Sequence, residues 1–158
     1  MEHVPRADAA FAEIDRVLAA GGIAYLDPAW HCRDWAADGL NVRPYRDLAF
    51  PQRVRKALIP LRDSILYRGF KQVPWRAWRR LRVNLSGGPC TLKYRRLKAN
   101  YEHFWCSDSD ACSSIDSHEA VLFFESRKYQ VLKPKGGNLA KLLFRAGPLI
   151  VRKPSARP

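Results

Sequence analysis

Between Arg43 and Lys98 the sequence has almost no negative charge: Asp47 and Asp63 stand alone against sixteen Lys or Arg. That stretch carries +14 of a formal net charge of +13, which leaves the rest of the chain at −1. The basicity belongs to one segment, which faces either anionic partners or solvent. Long apolar runs are missing too. No stretch is long enough to cross a bilayer, and the first residues have neither a basic start nor an apolar signal core. A cytoplasmic protein is the expectation, peripheral at the inner membrane surface if the basic segment meets lipid. Cysteine is sparse: Cys32, Cys90, Cys106 and Cys112 show no Cys-x-x-Cys spacing. Structural thiols are expected rather than a disulfide framework, and His31 and His103 complete no metal-ligand spacing with them. What is plentiful is apolar and aromatic sequence, 47% and 11% of 158 residues, the content of one globular domain with a core.

The first organised stretch runs from Asp8 to Asp27. Ala9, Phe11, Ile14, Val17 and Leu18 recur at three- and four-residue spacing with Glu13, Asp15 and Arg16 between them, the pattern of an amphipathic helix. Gly21 and Gly22 stop it, since glycine accepts the left-handed conformation that follows a last helical turn. Ile23-Ala24-Tyr25-Leu26 is then an apolar run of strand length, ended by Asp27-Pro28. Helix, glycine turn and strand make an α/β unit, and in such sheets ligands gather at the carboxyl ends of strands.

With Glu2-His3-Val4-Pro5 ahead of it, this stretch resembles the second half of a class I S-adenosylmethionine-dependent methyltransferase of the type 11-like kind. In that family a strand ends in a hydrophobic-Glu-His-Val loop, and a helix ending Arg-Val-Leu-Lys-Pro-Gly-Gly leads to the next strand. Here Arg16-Val17-Leu18 and Gly21-Gly22 match, and Ala19-Ala20 replace Lys-Pro. The family's glycine-rich cofactor loop and ribose-holding acidic residue lie upstream of this point. The resemblance therefore implies the C-terminal portion of such an enzyme, inactive alone, with S-adenosylmethionine bound tightly only when the donor half is supplied. It implies a partial Rossmann-like sheet of three strands, the last antiparallel and lying between the other two. Ile23–Leu26 would then form an open edge, inviting either a complementing N-terminal half or self-association.

The expected organisation is residues 1–27 as helix, turn and strand of that core, 28–114 as a basic, aromatic, helical insertion on the acceptor side, 115–153 as the closing helix and strands, and 154–158 as a loose tail. Within the insertion, Val54, Leu58, Leu61, Ile65 and Leu66 make an apolar stripe that Pro60 should interrupt, and a second helix is predicted from Pro74 to before Ser86. Leu92 to Trp105 has too many large side chains for a solvated loop. Asp116 reads as a helix cap with Glu119 completing a capping box. Tyr129–Leu132 and Pro148–Lys153 are the expected later strands.

The candidate catalytic residues are His31 and Asp27, just beyond the first strand. A histidine there can serve as general base for an acceptor hydroxyl, while Asp27 can equally cap a turn. The resemblance puts Glu2 and His3 beside the cofactor, unless the N-terminus is frayed. Trp30, Tyr101, His103 and Trp105 are candidates to line an acceptor pocket, or simply to pack as amphipathic rings. Arg76, Arg79 and Arg80 interleaved with Trp75 and Trp78 suit anionic lipid or a lipid-linked substrate, or phosphates and bases of nucleic acid, or else a solvated face. The acceptor itself, lipid-linked or saccharide, is not specified by these residues.

Overall fold

The computed structural model describes residues 1–101 and 106–155. In chain order the elements are α1 (Ala7–Val17), β1 (Ile23–Leu26), α2 (Phe50–Ala57), α3 (Ile59–Asp63), α4 (Ile65–Ser86), β2 (Tyr94–Arg96), β3 (Ser113–Ile115), α5 (Ser117–Ser126), β4 (Gln130–Lys133), α6 (Asn138–Leu143) and β5 (Leu149–Arg152). They form a mixed helix and strand fold around a small antiparallel sheet.

The glycine pair after α1 is required on two separate grounds. Gly21 has a φ of 75°, and a Cβ on Gly22 would lie 2.8 Å from the carbonyl oxygen of Ala19. Only glycine at both positions lets the chain reverse this tightly into β1. β5 lies between β1 and β4 and is antiparallel to both, so β1 and β4 run parallel. Among the described residues, no strand pairs with the outer edge of β1.

The sheet is covered on one face by α1 and α5. Phe11 of α1 meets Phe123 and Phe124 of α5 edge-on or tilted at 5.4 and 5.7 Å, and Leu149 and Val151 of β5 complete this core. Ala24 and Leu26 of β1 pack on the same cluster. Alternation sends Ile23 and Tyr25 to the opposite face, where both are more than half exposed. α5 is the central element: Ser117 to Phe124 are all buried, because the helix is enclosed by the sheet and α1 on one side and by α4 on the other. Leu122 packs there with Val83 and Cys90.

The middle segment departs from expectation in three ways. The helix break at Pro60 is present, since α2 ends at Ala57 and α3 begins at Ile59. The second long helix, however, starts at Ile65 rather than near Pro74, and Pro74 lies inside it. Ser64 caps its start by accepting from the Tyr67 amide at 3.1 Å, Gly87 ends it at a φ of 66°, and Pro74 sits on the exposed side, where water can serve the carbonyl that loses its donor. Secondly, part of the aromatic stretch after Leu92 is a strand: β2 pairs antiparallel with β3 in a separate two-stranded sheet. Thirdly, the capping box at Asp116 is half formed. Asp116 accepts from the His118 amide at 2.8 Å, but Glu119 turns away to a different partner.

Candidate functional site

A cleft of about 840 Å³ opens where the loop after β1 meets α4 and the start of α5. Its aromatic wall comes from Trp30, Trp35, Tyr67 and Trp75, and its polar floor from His31 and Asp116. Trp30 is fixed by donating Nε1–H to the Gly147 carbonyl at 2.9 Å and by an edge contact with Phe144. Trp35 is held in a small core with Leu40 and Leu48, with the Arg62 guanidinium 5.5 Å from its ring.

The floor is organised by Arg76, only 4% exposed although it stands in the middle of α4. It forms two parallel bonds to Asp116, Nε to Oδ2 at 3.1 Å and Nη2 to Oδ1 at 2.8 Å. Its Nη1 donates to the carbonyls of Leu142 and Phe144. Nη2 also lies 3.2 Å from His31 Nε2, and because a guanidinium can only donate, that nitrogen is the acceptor. Ser117 Oγ is 3.2 Å from the same nitrogen and gives its own proton to the Phe144 carbonyl. His31 holds this position with a φ of 61°, a conformation non-glycine residues seldom adopt. Burial pushes the Asp116 carboxyl up, but Arg76, His31 and the His118 amide outweigh it and leave the group below the ordinary carboxylate range. Beside the cleft, burial and the nearby Asp108 and Glu2 raise the Cys32 thiol to about 12, so it stays protonated and inert.

The structure brings together His31, Trp30, Trp75 and Arg76 among the residues singled out by sequence. Asp27 is not with them: it is exposed, 3.5 Å from the Tyr25 hydroxyl. Glu2 and His3 are tied down rather than frayed. The Glu2 carbonyl accepts from the amides of Cys112 and Ser113, its carboxylate meets the Met1 ammonium and the Ala29 amide, and His3 faces Asp110. Neither lines the cleft. Tyr101 borders a separate cavity of about 360 Å³ with Asp38 and Lys98. His103 and Trp105 lie outside the described residues.

Arg79 and Arg80 share the fate of Arg76. Arg79 pairs with Glu119 at 3.0 Å and Arg80 with Glu125 at 2.9 Å, so all three arginines face α5 and are occupied within the fold. They are internal ties and are not presented to a partner. Trp78, in contrast, remains more than half exposed. Sequence reading did not single out Ser117, Tyr67 or the Arg76–Asp116 pair. An arginine in the middle of a helix rich in Trp and Arg carries no mark of which way it points.

No helix among the described residues is long and apolar enough to cross a membrane. The four cysteines are free, and no group of metal-ligating side chains is gathered among the described residues. No family model, curated protein or solved structure matches the chain.

Proposed function

We propose that these residues are the C-terminal, acceptor-side portion of a class I S-adenosylmethionine-dependent methyltransferase. The observation that supports this best is the sheet. Two parallel strands, each preceded by a helix on the same face, are separated by the last strand of the chain running antiparallel to both. That order, β1-β5-β4, is what the family resemblance implies for its final three strands. The unpaired edge of β1 and the uncovered side chains of Ile23 and Tyr25 fit a sheet that continues, because a Rossmann-like sheet has neighbours on the inner strands and helices on both faces.

The donor is a different matter. Glu2 and His3, which the resemblance assigns to the cofactor, are engaged with Ala29, Asp110 and the start of β3, and they do not line the large cleft. These residues do not form a cofactor cradle as they stand. The cleft beyond β1 is the acceptor side in this reading. Its rings would hold an acceptor by its apolar faces while Trp30 and Trp75 set its position, the kind of alignment on which methyl transfer depends. Calorimetric titration tests the division of labour. S-adenosylmethionine should show no micromolar binding to the 158-residue chain, and micromolar binding when a donor-binding half of a class I methyltransferase, with its glycine-rich loop, is fused ahead of it. Micromolar binding to the chain alone, or none to the joined protein, contradicts the proposal.

A further inference from the structure

α4 is packed with its charged face inward and its apolar face outward. Its helical period puts Arg76, Arg79, Arg80 and Val83 against α5. The opposite side carries Phe70, Leu81 and Leu85, of which Phe70 is 84% and Leu85 78% exposed. Leu66 extends the strip at one end, and the helix is about 33 Å long. Along the edge of the strip run Lys71, Trp75, Trp78 and Arg82, at spacings of four, three and four residues, which makes one row on the helix surface. All four are exposed.

We propose that this outward face of α4 docks on an anionic lipid bilayer. An aliphatic strip bordered by indoles and then by cations matches the layers of a membrane interface, with acyl chains against Phe70, Leu81 and Leu85, the headgroup boundary at Trp75 and Trp78, and lipid phosphates at Lys71 and Arg82. Nucleic acid is the poorer fit. The three arginines that would have followed a phosphate backbone are spent on Asp116, Glu119 and Glu125, and the face left outside is mainly aliphatic. Because Tyr67, Lys71 and Trp75 also line the large cleft, a docked α4 would bring the cleft mouth to the bilayer surface. The inference does not depend on the methyltransferase reading, since a chain that transfers nothing would still dock.

Co-sedimentation of the full chain with vesicles tests it, using phosphatidylcholine alone, phosphatidylcholine with phosphatidylglycerol, and the latter with competing RNA. Binding should require the anionic lipid and survive RNA. Leu81→Gln with Leu85→Gln should weaken it by about tenfold or more, and Lys71→Gln with Arg82→Gln by roughly thirtyfold. These side chains are exposed, so circular dichroism of both variants should be unchanged. Equal binding to neutral vesicles, loss to RNA, no sedimentation at all, or folded variants that bind as well as the parent would each overturn the proposal.

Discussion

His118 lies wholly buried in the first turn of α5, and among the described residues its Nδ1 has no hydrogen-bond partner. Burial first, and then the positive charge of Arg80 with Arg76 and Arg79 behind it, pushes the ring down to about 4 against the pull of Asp116. The folded value lies below the unfolded 6.5, so the unfolded chain takes up the proton first as the solution is acidified. The stability that comes from keeping this ring neutral is complete above pH 6.5 and is lost as pH falls towards 4, on the order of 3 kcal/mol in all. Urea midpoints measured across that interval should fall accordingly. A His118→Leu chain should lose less by about that amount, and equal slopes for the two would contradict the assignment. Nothing in Ser-His-Glu at a helix start distinguishes a buried neutral ring from a surface one. The same limit applies to His31: its position after the first strand was readable, but the commitment of Nε2 to Arg76 depends on residues 45 positions away.

At the scale of elements, the arginine face of α4 is the main departure from simple amphipathic reading. A helix of this composition is expected to bury its aliphatic side. Here the first turns of α5 present Asp116 and Glu119, with Glu125 further along, and three arginines of α4 close on them. Removing one partner of such a pair leaves a charge and two carbonyls without their donor. Arg76→Met should therefore cost about 3–5 kcal/mol, whereas Arg82→Met, on the exposed side, should stay within about 0.5 kcal/mol. Denaturant unfolding of the two variants measures both, and similar values would contradict the structural role given to Arg76. α1 and β1 were legible from the apolar period and the glycine pair between them, α5 from its Asp116 cap, and β4 and β5 from short apolar runs. β2 and β3 were not, because Tyr94-Arg95-Arg96 and Ser113-Ser114-Ile115 are three residues each, with one strand-favouring side chain apiece and no run long enough to show alternation.

For the whole molecule, the open edge of the sheet matters most. Among the described residues β1 pairs on one side only, and Ile23 and Tyr25 stand exposed beside an otherwise well-filled core of phenylalanines. Exposed edges of this kind seek a partner strand. The sequence pointed to this arrangement through the helix, the glycine pair and the following apolar run, and the order of the three strands agrees with it. Sequence could not reveal how the basic segment folds back to make the cleft, since that depends on long-range pairs between α4 and α5. The most direct test of the methyltransferase reading is transfer of labelled methyl from S-adenosylmethionine into cell-extract acceptors, by the chain alone and by the chain fused behind a glycine-rich donor-binding half of that family. The account expects a labelled product only from the joined protein, reduced at least about tenfold by Trp30→Ala, because the proposal gives that cleft wall the alignment of the acceptor. Labelling by the chain alone, or none from a joined protein that binds the donor, would contradict it.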